Sequence, residues 1–114
     1  MSYILHITSR TSWLAAKNSG SYAADTLASE GFIHCSTREQ VLRVANALFA
    51  GQRGLVLLVV DLRRLRPEVR WEPGADRPDE LFPHVYGPIN LEAVVEVMDF
   101  EPGPDGLFVL PALL

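Results

Sequence analysis

Gly31-Phe32-Ile33-His34-Cys35-Ser36-Thr37 decides how this chain is read. The run is short and mostly apolar, yet it holds one of the three histidines and the lone cysteine. An imidazole inside a buried-looking strand costs free energy unless its nitrogens find partners. Those partners are either structural or catalytic. Alternation puts Phe32 and His34 on one face and Ile33 and Cys35 on the other, and Ser36 returns to the face of His34. Thr37-Arg38-Glu39-Gln40 then matches a capping box, with Gln40 reaching back to Thr37. Val41, Val44, Ala45 and Leu48 make an apolar helical stripe to about Ala50, and Gly51 stops it.

Upstream, Tyr3 to Thr8 reads as a first strand. Tyr3, Leu5 and Ile7 share one face; Ile4, His6 and Thr8 share the other. A short helix follows over residues 11–18, capped by Thr11 or Ser12 and ended by Asn18-Ser19-Gly20. Trp13 is its packing anchor. Ser21 to Glu30 is undecided, with Tyr22 either reaching toward a site or covering the core.

Downstream, Leu55 to Leu62 is a continuous apolar strand of the kind covered on both faces. Val69 to Glu72 is a half-exposed strand, and Gly74 to Glu80 a polar loop. In Phe82-Pro83-His84-Val85-Tyr86-Gly87-Pro88-Ile89 the prolines forbid a helix and disfavour a central strand. That segment presents His84 and Tyr86 in a fixed direction. Val94 to Phe100 is a last strand, Pro102 to Gly106 a turn, and Leu107 to Leu114 an apolar tail that packs on the domain or binds a partner. The order strand, helix, strand, helix, strands predicts one α+β domain over residues 1–114. The expected sheet is split and strongly bent, with two short helices in the N-terminal half.

Composition narrows the function classes. Apolar residues make up 48% of 114, an ordinary globular share, and the formal net charge is −4. That charge argues against a general nucleic-acid binder. One cysteine makes no internal disulfide, the N-terminus lacks a signal-peptide layout, and the longest apolar run is far too short to span a bilayer. The expectation is a cytoplasmic protein without membrane attachment; the residues leave oligomeric state open. No Gly-rich phosphate loop and no GxSxG elbow occurs.

His6, His34 and His84 all fall in extended or constrained segments. Each alone is as well explained by backbone hydrogen bonds; together they suggest a shared pocket. No close-spaced metal-ligand pair appears, so no metal is expected. Cys35 points away from His34 and reads as a buried, inert thiol rather than a nucleophile. Glu72 is either a solvated strand residue or part of the site. Arg63, Arg64, Arg66 and Arg70 form a basic run, either solvated or able to gather a phosphate. Glu92 and Glu96 carry the same ambiguity.

The segments Ile4-Leu5-His6-Ile7-Thr8, Trp13, Glu30 to Ser36 and Phe82 to Pro88 together resemble the DUF952 family of small bacterial proteins. The resemblance covers almost the whole chain. That family is similar in fold to ADP-ribosyltransferases, whose split sheet holds NAD in a cleft, and the N-terminal spacing resembles the RNA 2′-phosphotransferase branch. The resemblance implies His6, with Thr8 on its face, as a ribose-binding position, and His34 or Ser36 on the nicotinamide side. His84 or Tyr86, or else Glu72, takes the late-strand position, where a clean Glu match is missing. The implied function is an NAD-dependent ADP-ribosyl- or phosphoryl-transfer enzyme. A non-catalytic module for a nucleotide or phosphorylated small molecule is the alternative, and an interaction domain docking through its tail is a third.

Overall fold

The computed structural model describes residues 2–112 and 114. The elements run β1 (Tyr3–Ser9), α1 (Arg10–Ser19), β2 (Ser21–Tyr22), α2 (Asp25–Glu30), β3 (Ile33–His34), α3 (Arg38–Leu48), β4 (Leu55–Asp61), β5 (Glu68–Pro73), β6 (Leu81–Tyr86), β7 (Ile89–Asn90), a single 3₁₀ turn (Leu91–Ala93) and β8 (Val94–Phe100). The architecture is α+β. The sheet is split as expected, and among the described residues it forms three antiparallel sheets, ordered β1-β4-β8, β2-β7 and β3-β6-β5. The helices are three among the described residues, not two: α2 falls in the stretch whose sequence was ambiguous. It is a six-residue helix with no side-chain cap and no buried face, so it shows no periodic stripe to read.

β4 sits at the centre of its sheet and is covered on both faces, as its unbroken apolar run requires. Val56, Leu58 and Val60 join Ile4 and Ile33 in one apolar cluster. Leu55 and Leu57 join Leu5, Ile7, Val41, Ala45 and Phe108 in the other. The tail is held on its own domain. Phe108 stacks on Phe100 with ring centroids 4.6 Å apart, and its N–H donates to Asn46 Oδ1 at 2.7 Å. Leu113 of that tail lies outside the described residues.

The helix ends follow local chemistry. α1 begins before the expected cap: Ser9 is the N-cap, its Oγ accepting the Ser12 N–H at 3.0 Å. Gln40 closes the start of α3 by accepting the Thr37 N–H at 3.0 Å. Val41 and Ala45 are buried, whereas Leu48, expected on the same stripe, is 64% exposed and α3 ends with it. Gly31 ends α2 at φ +90°, a left-handed turn suited to glycine, and swings the chain into β3.

β6 overturns an expectation. It is the central strand of its sheet although it contains Pro83. In an antiparallel strand the N–H and C=O of one residue point to the same side. Pro83 C=O accepts the Cys35 N–H at 3.1 Å, so both main-chain groups of Pro83 face β3. Nothing is lost toward β5. On the other side the proline has no N–H to return to Cys35, and β3 stops at His34.

Candidate functional site

The register of β3-β6-β5 makes the site. His34 lies opposite His84, Arg70 opposite His84 on the far side, Glu72 opposite Phe82 and Glu68 opposite Tyr86. Alternation therefore puts Phe32, His34, Phe82, His84, Tyr86, Glu68, Arg70 and Glu72 on one face. Ile33, Val85 and Val69 take the other and enter the core. One face of the sheet is apolar packing and the other carries the polar and aromatic side chains.

His84 is 4% exposed and clamped. Its Nδ1 lies 2.8 Å from Glu72 Oε1, and Phe32 stacks on the ring at 4.1 Å and 17°. The His34 ring meets it edge-on at 5.3 Å. Tyr86 OH donates to the same Glu72 oxygen at 2.6 Å. The Tyr86 hydroxyl first, and then His84, hold the Glu72 carboxyl below its ordinary range. An ionised Glu72 only accepts, so the His84 Nδ1 carries a proton, and in the neutral ring Nε2 then carries the lone pair. Nε2 has no partner among the described residues. Among those residues no enclosed side-chain nitrogen or oxygen lacks one, so Nε2 opens onto the space that His84 lines. Arg70 lies over the Tyr86 ring at 4.3 Å and pairs with Glu68 at 3.1 Å, bracing this cluster from β5.

A second polar cluster stands on β1. His6 Nδ1 is 2.6 Å from His34 O, and His6 Nε2 is 2.8 Å from the Tyr22 hydroxyl. That hydroxyl is also 2.8 Å from Thr8 Oγ1. Burial pushes the His6 pKa down to about 4, so the ring is neutral at pH 7. A carbonyl only accepts, which puts the His6 proton on Nδ1 and leaves Nε2 bare. Tyr22 must then give its proton to Nε2 and receive one from Thr8. Protonating His6 reverses the chain, and Tyr22 donates to Thr8. Tyr22→Phe breaks the chain in either sense. Leaving these buried groups unmatched is expected to cost about 1–3 kcal/mol, read as a lower urea midpoint. An unchanged midpoint would mean that water restores the bonds.

Both clusters border one cavity of about 540 Å³. Its wall includes His6, Thr8, His34, Ser36 and His84, so the three histidines meet at one opening. Glu72 and Tyr86 are absent from the wall and act on it through His84. Ser36 is 6% exposed, and its hydroxyl has no partner among the described residues. His34 departs from the buried reading: its side chain is 46% exposed and sits 3.0 Å from Glu30. Cys35 is in the core, its thiol pushed up by burial, and is inert as read. Sequence reasoning left Tyr22 undecided; its signal, an aromatic hydroxyl just past a helix stop, is common in cores.

The cavity opens where two segments part. β1 and the chain after β3 touch at one bridge, where Leu5 N–H and C=O exchange hydrogen bonds of 2.8 Å with Ser36. By alternation Ile7 turns its N–H and C=O to the same edge, and no strand among the described residues meets them there. Beyond the bridge the two segments part, and Val44, Leu48, Phe49, Ala24 and Ala75 line the opening. The arginine run is spent elsewhere: Arg66 meets Glu92 at 2.7 Å, and Arg63 and Arg64 flank Asp61. Glu96 lies on a separate surface depression with Trp71 and Met98.

Among the described residues no group of three or more His, Cys, Asp or Glu is placed to hold a metal ion, and no helix is long and apolar enough to cross a membrane. No curated protein matches the chain. The crystal structure of protein CC0527 from Caulobacter crescentus is similar, with 34% identity and a TM-score of 0.85 over 96% of this chain and 95% of that one. The solution structure of CC0527 agrees, at 35% identity and a TM-score of 0.83 over 100% of both chains. A family model described as DUF952, protein of unknown function, matches residues 7–97, most of the sequence: the chain belongs to the DUF952 family.

Proposed function

We propose that the cavity is an acid–base site acting on a nucleoside-type small molecule. One observation carries this reading: a buried His84 whose Nδ1 is held by Glu72 and whose Nε2 is left open at the cavity. A carboxylate-held imidazole of that kind accepts a proton from a hydroxyl and stabilises the imidazolium that results. The volume suits a small organic ligand. The unmatched N–H and C=O of Ile7 suit a carboxamide or nucleobase edge, and Ser36 and Thr8 suit ribose hydroxyls.

NAD, which the ADP-ribosyltransferase resemblance implies, supplies a glycosidic bond whose cleavage builds positive charge on the ribose. The wall fits its carboxamide and ribose end. It does not fit the pyrophosphate, because no lysine or arginine lines the cavity. Glycosyl transfer or hydrolysis at a nucleoside is therefore the supported reaction class, with His84 as the base for the acceptor hydroxyl and Glu72 as its positioning residue.

The test is calorimetric titration of the folded protein with inosine, nicotinamide riboside and NAD, alongside amide NMR and assay of the released base. Binding with shifts at the Ile7 amide and the His84 ring is expected. Absence of binding at millimolar ligand, or shifts confined to other faces, overturns the reading. Binding without any release favours the non-catalytic module.

A further inference from the structure

The charge of the cavity wall selects among the ligands just named, and the inference rests on that reading of the site. Asp25 and Asp76 line the cavity, and neither carboxylate forms an ion pair among the described residues. Four arginines are engaged away from the wall: Arg43 with Glu80, Arg70 with Glu68, Arg66 with Glu92 and Arg10 with Asp99; Arg53 and Arg77, each next in sequence to a wall residue, do not themselves line it. A helix N-terminus contributes about half a positive charge, and the start of α1 borders the cavity through Ser9 and Ser12. Two of its first donors are already taken, Ser12 N–H by Ser9 Oγ and Arg10 N–H by Gly54 O. Asp25 itself occupies the start of α2 and offsets that helix end.

The buried end of the cavity is polar and holds no lysine or arginine among the described residues. It offers the lone pair of His84 Nε2, the Ser36 hydroxyl and the main chain of Ile7. His6 adds no charge there at neutral pH. A phosphate entering this space gives up water and finds no guanidinium or ammonium to replace it. A cationic ring gains from both carboxylates.

We propose that the cavity selects cationic or uncharged nucleosides over their phosphorylated forms. A carboxylate at the mouth, roughly 8 Å from the ligand charge, changes affinity by about two- to threefold in high dielectric. Two of them, with the unmet desolvation of a phosphate, make a difference that titration resolves.

The experiment compares nicotinamide riboside, which is cationic, with inosine, nicotinamide mononucleotide and NAD, at low and at physiological salt. The riboside is expected to bind most tightly, and the mononucleotide and NAD at least about threefold more weakly. Added salt weakens the riboside and leaves inosine unchanged. The double variant Asp25→Asn with Asp76→Asn, both at exposed positions, narrows the gap between the riboside and the mononucleotide by at least about twofold and leaves the part due to phosphate desolvation; an unchanged gap overturns the role of the two carboxylates. If the mononucleotide or NAD binds more tightly than the riboside, charge selection is wrong while the nucleoside site stands. If none of the four binds to protein shown to be folded, the site reading fails and takes this inference with it.

Discussion

With glutamine in place of Glu72, turnover of a nucleoside-type substrate is expected to fall by about 10²–10⁴-fold, with KM nearly unchanged. The substitution keeps the shape and can still accept from the His84 Nδ1–H, now 2.8 Å from Glu72 Oε1. What it removes is the negative charge that stabilises the imidazolium once His84 has taken the acceptor's proton. A purely structural carboxylate would instead show as a lower melting temperature with the same rate per folded molecule. His84→Ala deletes the base itself and is expected to lose a comparable factor. Because the two residues work as one unit, the double variant falls no further than the worse single one. Tyr86→Phe, which takes away one hydrogen bond to Glu72, is the milder control. Full-rate turnover by His84→Ala, measured with protein of native melting behaviour, removes the acid–base assignment.

Acidification is expected to unfold the protein through His6. Its pKa lies near the ordinary 6.5 in the unfolded chain and at about 4 in the folded one, lowered by burial. Between those values the unfolded state binds a proton that the native state does not. Stability is therefore complete above pH 6.5 and is lost as pH falls toward 4. At about 1.36 kcal/mol per pH unit the full loss is about 3 kcal/mol, of which about 2 has gone by pH 5. Glu72 and Glu80, whose carboxyls are held below their ordinary range, add their own losses only in more acid solution. The window from pH 6.5 to 5 thus lies above those carboxylate losses, and the His6 ring signals identify the share that belongs to His6. Urea midpoints across it should fall, and the native His6 ring signals should titrate near pH 4. A native ring that titrates near 6.5 would refute the burial argument whatever the midpoints do.

How much of this was legible depended on whether the information was local. β1, α3, β4 and β8 follow from alternation, a capping box and apolar runs, each written within ten or so residues. The inert thiol of Cys35 followed from alternation alone. Pro83 misled because the rule against proline in central strands holds only where the missing N–H has a partner to lose. Here that N–H would fall at the end of a two-residue strand. His34 misled for a related reason: β3 is too short to bury both of its faces. The meeting of His6, His34 and His84 was a guess from residue type. It needed the register of β6 against β3 and the Leu5–Ser36 bridge, neither of which any local pattern encodes. The pairing of Glu72 with His84 is diagonal across β5 and β6, so it too waited on register.

Phe108 gives the chain a temporal order during synthesis. The apolar cluster around Ile4, Val56 and Leu58 draws on nothing later than Val94, whereas the cluster around Leu5 and Leu57 includes Phe100 and Phe108. A ribosome delivering residues from the N-terminus therefore supplies the first cluster in full before it supplies the second. Leu5, Ile7, Phe49 and Leu55, which wall the cavity, belong to the later group. Until Phe108 has been made the second cluster is incomplete, and so is the packing behind the β1 edge of the cavity.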